Sequence, residues 1–216
     1  NLSDTARGAI FEILHGASGM EFTASRAVIV ERRILDRMGV LGLEHWTDYQ
    51  HLITIDADER RRLVEAVAVN ETFFYRHAEQ LESLRRVVLP ALLADRRTEN
   101  RHLRLWSAAC AGGCEPYSIA IACIEAQAYC GPFPFEVIGS DIDTAALDEA
   151  RAALYNDRAV SVEFPPDLRD RYLRKTADGW RLADDVRRSV NFLSLNLVAD
   201  TYPSSCDVIF CRNVLY

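Results

Sequence analysis

Lysine is almost missing from this chain: among its 216 residues, only Lys175 is one. A Gly-x-x-x-x-Gly-Lys-Ser/Thr phosphate loop is therefore excluded, and no Gly-x-Gly-x-x-Gly dinucleotide turn occurs either. No run approaches the ~18 apolar residues that a membrane-spanning helix needs. No charged-then-apolar leader resembles a signal peptide, although residue 1 is Asn rather than Met, which leaves the natural start open. Excess positive charge is also lacking. The net charge is −7, which argues against non-specific nucleic-acid binding. Six cysteines without a leader read as reduced thiols of a cytoplasmic protein. Cys110-x3-Cys114 and Cys206-x4-Cys211 do not have the spacing of common zinc sites, so no metal is expected. An apolar content of 49% still suffices for a core.

The most informative stretch runs from Leu103 to Ala120. An extended apolar run, Leu103 to Trp106, passes through small residues into Gly112-Gly113, and a helix then starts with Glu115 and Pro116 in its first turn. Strand, glycine turn and helix bring backbone close to a nucleotide-like ligand. An acid at the head of that helix repels phosphate and suits a cation or an amino group. A nucleoside carrying an ammonium and no phosphate fits these features, and S-adenosylmethionine is such a molecule.

A second strand, Phe135 to Ser140, ends in Asp141-Ile-Asp143. An acid at this strand end is placed to accept hydrogen bonds from ribose hydroxyls. It can equally be a helix N-cap, since Asp143-Thr-Ala-Ala-Leu opens an apolar helical repeat. The two readings are compatible, with Asp143 as the cap and Asp141 as the ribose ligand.

Residues 1–80 read as a helical domain with its linker. Ala9, Ile10, Ile13 and Leu14 fall on one helical face. Val28, Ile29, Ile34, Leu35 and Met38 are expected to pack from a second helix that Gly39 and Gly42 end. Trp46–Leu52 and Glu59–Val69 supply further helical patterns. Residues 81–216 begin with a connecting helix, Leu81 to Leu93, and then alternate. Strands are expected near 103–108, 135–140, 190–195 and 207–211, with helices near 116–129 and 143–153. Such alternation implies an α/β domain with a mostly parallel sheet. Residues 155–189 interrupt it as an excursion, with a short helix to Leu173 and a hairpin about Asp178-Gly179.

Four segments, Asn70-Glu-Thr-Phe-Phe-Tyr-Arg76, Ser107 to Ala120, Gly139-Ser-Asp-Ile-Asp143 and Phe210-Cys-Arg-Asn-Val214, stand in the order found in CheR-type chemotaxis receptor methyltransferases, and the chain resembles that family from about residue 8 to its end. The resemblance implies a small all-helical domain followed by a Rossmann-like class-I methyltransferase sheet, here expected to be truncated after its fourth strand. It implies methyl transfer from S-adenosylmethionine to receptor glutamate carboxylates, giving methyl esters and S-adenosylhomocysteine. A degenerate cofactor-binding module, or a methyltransferase of another carboxylate, are the alternatives.

By this resemblance, Asn70, Thr72, Arg76, Gly112, Glu115, Asp141, Asn196, Leu197, Arg212 and Asn213 bind the cofactor. Glu115 takes its amino-acid end, Asp141 the ribose, and Asn196-Leu197 the adenine side. Arg212 and Asn213 close the pocket near the methyl group, and Arg76 and Tyr216 face the reacting groups. Asn70, Thr72 and Arg76 would share one side of an extended segment. Without the motif, Arg76 reads as a surface arginine paired with Glu79, Asn196 as a turn residue, and Phe73, Phe74 and Tyr75 as packing between the domains.

Two departures stand out. Where the family has Gly-Glu-Glu-Pro-Tyr-Ser, this chain has Gly113-Cys-Glu-Pro-Tyr-Ser118, so Cys114 either weakens cofactor binding or is neutral. The family's Arg-Asn-Val-x-x-Tyr puts its tyrosine one position past Tyr216, so either Tyr216 substitutes or the functional tyrosine lies outside this sequence. The resemblance gives the cytoplasmic region of methyl-accepting receptors as partner. Arg26, Arg32, Arg33 and Arg37 are the candidate docking charges, mixed with Glu31 and Asp36, and an ordinary solvated helix face is the alternative. No nucleic acid or membrane insertion is expected, and the sequence does not set the oligomeric state.

Overall fold

The computed structural model describes residues 2–21, 24–68, 72–95, 102–160, 163–198 and 200–212. It divides into two compact units, Asn1–Val69 with Asn196–Asp200, and Asn70–Leu195 with Thr201–Leu215.

The first unit is built from α1 (Leu2–Ser18), α2 (Ala24–Leu41), α3 (Trp46–Ile55) and α4 (Ala57–Val67). Asp56 caps α4 by accepting from the Asp58 and Glu59 N–H groups at 2.9 and 3.1 Å, which satisfies donors the helix leaves free. Gly42 ends α2 in the left-handed region at φ +68, whereas Gly39, expected to help end it, is still helical. Ile10 and Leu14 of α1 are fully buried, as are Ile34, Tyr49, Ile53 and Leu63 of the other three helices. One carboxylate is sealed inside: Glu59 accepts from Arg37 Nε at 2.9 Å and from the Tyr49 hydroxyl at 3.0 Å.

The packing face of α2 differs from the expected one. Val30, Ile34 and Met38 are buried, one turn apart, while Val28, Ile29 and Leu35 are exposed at 71%, 57% and 51%. Apolar residues lie all around this helix. At ~100° per residue, Val28, Ile29 and Leu35 fall roughly 100–140° round the helix from the centre of the Val30-Ile34-Met38 stripe and so lie off its packed face.

The second unit opens with α5 (Ala78–Ser83), a π-helical turn (Leu84–Val88) and α6 (Leu89–Ala94). Then follow β1 (Leu103–Ala108), α7 (Cys114–Cys130), β2 (Phe135–Asp141) and α8 (Thr144–Ala152). β6 (Val190–Ser194) and β7 (Val208–Cys211) complete a four-stranded sheet in the order β6-β2-β1-β7, with every neighbouring pair parallel. Helix α7 is apolar on nearly all sides and buried accordingly. Leu103 and Leu105 on one face of β1 join its core cluster, while Trp106 on the other face donates its indole N–H to Ser140 Oγ at 2.9 Å.

The excursion is a small antiparallel sheet in the order β3-β5-β4, from β3 (Leu154–Tyr155), β4 (Leu173–Thr176) and β5 (Gly179–Leu182), with α9 (Pro166–Tyr172) before the hairpin. A short α10 (Asp184–Arg188), not expected from the sequence, leads back to β6. Phe74 and Tyr75 belong to this unit. They are buried in the core of this second unit, each stacked on Phe164 at ring-centroid separations of 5.3 and 4.8 Å. Aromatic area of this kind is most stabilising when fully buried.

Candidate functional site

The sheet order fixes where a site can form. From β1 the chain winds outward through β2 to β6, then returns to the other side of β1 as β7. The carboxyl ends of β1 and β7 therefore flank a topological switch point, where open α/β sheets bind ligands. The glycine turn leaves β1 there, and Arg212 follows β7 directly.

The turn from Ala109 to Gly113 is wound tightly. Ala109, Ala111 and Gly113 all have left-handed φ, at 57°, 47° and 86°. Alanine in this region costs on the order of 1 kcal/mol, so the surroundings must hold it. They do so with hydrogen bonds: Cys110 N–H donates to Ser140 O at 2.9 Å, Ala111 N–H to Asp141 Oδ2 at 2.7 Å, and Tyr155 O–H to Gly112 O at 2.9 Å. Gly113, rather than Gly112, is the sterically required glycine. A Cβ on Gly113 would lie 2.7 Å from Ala150 Cβ, whereas one on Gly112 would meet nothing closer than Thr72 Cγ2 at 3.7 Å. Gly139 has a similar role on β2, where a Cβ would come within 2.7 Å of the Phe192 ring.

Asp141 ends β2 and is nearly buried. Its Oδ2 takes the Ala111 N–H and its Oδ1 the Asp143 N–H at 2.9 Å. Burial pushes its carboxyl above the usual range, and the backbone donors at Asp143 and Ala111 partly oppose this. Asp143 is the cap of α8, accepting from Ala145 and Ala146 N–H at 2.9 and 3.1 Å. Asp143 is the helix cap, as the sequence suggests, and Asp141 ties the β2 end to the glycine turn.

Glu115 sits in the first turn of α7 between two donors. Ser107 O–H donates to its Oε1 at 2.7 Å, and Arg212 Nε to its Oε2 at 2.6 Å. Arg212 also donates from Nη1 to Arg76 O at 2.8 Å and to Gln80 Oε1 at 3.1 Å. An acid at this position was expected to receive a cation, and in this structure it holds a guanidinium. Two carboxylates, Glu115 and Asp141, thus flank the turn, one of them bonded to a guanidinium.

Arg76 is not on one side of an extended segment with Thr72. Residues 74–77 form a turn with Tyr75 and His77 at left-handed φ, which breaks the even-spacing geometry. Its guanidinium lies over the Phe73 ring at 5.6 Å, while Glu79 pairs with His77. The Cys114 thiol is fully buried and pushed up to about 12 by that burial. In this chain position 114 is therefore a core position of the second unit. Asn196 forms a turn, its Oδ1 accepting from Val198 N–H at 3.1 Å and its Nδ2 donating to Ala17 O at 2.8 Å. Asn196 and the half-buried Leu197 group with the helical unit. Asn70, Asn213 and Tyr216 lie outside the described residues.

Sequence reasoning missed three members of this network: Ser107, Gln80 and Tyr155. A hydroxyl at the inward end of an apolar strand was a usable signal for Ser107, because a buried O–H must find an acceptor. Gln80 and Tyr155 carried no such signal, since their contacts depend on how distant segments return to the turn.

Known proteins agree with this architecture. The sequence model of the CheR methyltransferase SAM-binding domain matches residues 70–216, and that of the CheR methyltransferase all-alpha domain matches residues 8–68. The chemotaxis protein methyltransferase 2 of Vibrio cholerae is 33% identical over 99% of this chain and 75% of its own length. The Pseudomonas aeruginosa chemotaxis protein methyltransferase 2 is 36% identical over 94% of this chain and 72% of its own. A probable biofilm formation methyltransferase of the same organism, WspC, is 31% identical over 94% of this chain and 48% of its own. With both family domains matched in order on a helical unit and a parallel sheet, the chain belongs to the CheR methyltransferase family of S-adenosylmethionine-dependent enzymes.

Proposed function

We propose that this enzyme methylates glutamate side chains on the cytoplasmic region of methyl-accepting chemotaxis receptors, forming methyl esters and leaving S-adenosylhomocysteine. The observation that carries the reading is that Glu115, in the first turn of α7, and Asp141, at the carboxyl end of β2, are both tied to the β1 end and its glycine turn, through Ser107 and Ala111, with a guanidinium also bonded to Glu115.

When bound, S-adenosylmethionine supplies a methyl group on a sulfonium. Glu115 receives the amino-acid end and Asp141, through its remaining lone pairs, the ribose. Asn70, Thr72, Gly112, Arg212 and Asn213 complete the cofactor contacts, and Asn196 and Leu197 keep the adenine-side role that the family resemblance gives them. A receptor glutamate with an ordinary pKa of about 4.3 is already ionised at neutral pH, so the chain needs no general base. Its tasks are alignment and exclusion of water, because a carboxylate and a sulfonium lose their charges as they react. Arg76 and Tyr216 orient the reacting carboxylate, with the guanidinium fork suited to two oxygens.

The test is transfer of a tritiated methyl group to a receptor cytoplasmic fragment, followed by mild base. Release of the label as methanol supports the ester. A base-stable label rejects ester chemistry. Cofactor binding without any transfer favours a degenerate module, and labelling of small carboxylic acids alone favours a different substrate.

A further inference from the structure

We propose that Ser107 is a positioning residue for cofactor recognition, acting through Glu115 rather than by touching the ligand. This rests on the reading of Glu115 as the receptor for the cofactor's amino-acid end.

Ser107 is fully buried at the inward-facing end of β1, next in line after Leu103 and Leu105. A hydroxyl at such a position costs free energy unless it is bonded, so its proton is committed to an acceptor. The acceptor is Glu115 Oε1 at 2.7 Å, a short bond strengthened by the carboxylate charge. Arg212 takes the other oxygen. The two donors come from adjacent parallel strands, β1 and the end of β7, whose register pairs Ser107 with Phe210.

Held at both oxygens, the carboxylate of Glu115 cannot turn about its terminal torsion, which is otherwise broad for glutamate. The lone pairs left over then point in fixed directions, and an incoming ammonium meets an acceptor that needs no reorganisation. Arg212 alone would leave Oε1 free to swing. The hydroxyl of Ser107 therefore sets the acceptor geometry for one end of the cofactor and nothing else.

That selectivity supplies the test. Calorimetry on the full chain compares S-adenosylmethionine with 5′-methylthioadenosine, which keeps the nucleoside and thioether but has no amino-acid end. Ser107→Ala is expected to bind S-adenosylmethionine about tenfold more weakly, the size of one lost charge-assisted hydrogen bond. It is expected to bind 5′-methylthioadenosine as the wild type does. Ser107→Cys, nearly isosteric and a weaker donor, falls between, and it provides the comparison if the alanine variant does not fold. Unchanged affinity for S-adenosylmethionine in these variants overturns the proposal, as does equal weakening of both compounds, which is what a purely structural role would give. A wild-type chain that binds 5′-methylthioadenosine but gains nothing from the amino-acid end overturns it too. A wild-type chain that binds neither compound sinks the cofactor reading itself.

Discussion

Arg212 and Glu115, 97 residues apart in sequence, form a half-shielded ion pair at 2.6 Å across the switch point of the sheet, with side-chain exposures of only 13% and 14%. The same guanidinium reaches Arg76 O and Gln80, so it fastens the turn at 74–77 to the head of α7.

Removing one partner of such a pair leaves a largely desolvated charge alone. Arg212→Met is expected to lower unfolding free energy by about 2 kcal/mol, and Glu115→Gln by about 1 kcal/mol, since the amide still accepts one bond. A double-mutant cycle by urea denaturation should give a coupling of about 1–2 kcal/mol that changes little with salt. A coupling near zero would mean that the contact is incidental.

The glycine turn gives a sharper contrast. Gly113→Ala must adopt a left-handed φ and push its Cβ against Ala150, and is expected to cost about 3 kcal/mol. Gly112→Ala has an ordinary φ and ordinary contacts, and is expected to cost under about 1 kcal/mol. Thermal unfolding of the two variants checks this. Equal shifts would contradict the turn geometry.

This contrast also shows what the sequence could reveal. The strand, turn and helix pattern around Gly112-Gly113 marks the candidate site, because a glycine turn between a strand and a helix brings backbone close to a ligand. It cannot say which glycine is indispensable, since that depends on Ala150 and Phe192 arriving from α8 and β6. The capping role of Asp143 was legible because a cap is a local matter. The bent course of residues 74–77 was not, because Ala159, Ser118 and Glu163 pin it from distant positions: Phe74 N–H donates to Ala159 O at 2.8 Å, Tyr75 N–H to Ser118 Oγ at 3.0 Å, and His77 N–H to Glu163 Oε2 at 2.9 Å. The face of α2 was misread for a different reason: apolar residues surround that helix, and periodicity then no longer selects one stripe.

Thiol reactivity should follow burial. Cys110, Cys114 and Cys123 are buried, with their thiols pushed upward chiefly by desolvation, and Cys211 is exposed. With an aromatic disulfide reagent, Cys211 is expected to react first and the half-buried Cys130 and Cys206 more slowly. The three buried thiols should react only in denaturant. Rapid labelling of Cys114 in the native protein would contradict its burial in the core of the second unit.

Asp141 gives a pH prediction with a definite sign. Its folded pKa is raised, chiefly by burial, above the unfolded value of about 3.9. The stability this group contributes is therefore fully present below the unfolded pKa and is lost as pH rises through the folded one. Under the proposed ribose role of Asp141, ligand binding runs the opposite way, because the ribose hydroxyls need the ionised acceptor. Affinity for S-adenosylmethionine is expected to fall as pH drops through the raised pKa, at higher pH than for an ordinary aspartate. Asp141→Asn should weaken binding at neutral pH and flatten that dependence. Calorimetry from pH 5 to 8 with both proteins decides the matter.

The arginines of α2 separate into two kinds. Arg37 is bonded to the buried Glu59, which also holds the Tyr49 hydroxyl, so its loss strands a carboxylate in the core of the helical unit. Arg37→Met is expected to cost about 3–5 kcal/mol and to reduce every activity together. Arg32 and Arg33 are exposed and belong to no such network in the core. If the receptor docks on α2 through charge, Arg32→Glu with Arg33→Glu should slow methylation of a receptor fragment several-fold, more at low salt than at high. Calorimetric affinity for S-adenosylmethionine should stay unchanged, since neither side chain belongs to the proposed cofactor site. Parallel loss of methylation and cofactor affinity would point to unfolding, and no loss of either would remove these two arginines from the docking surface.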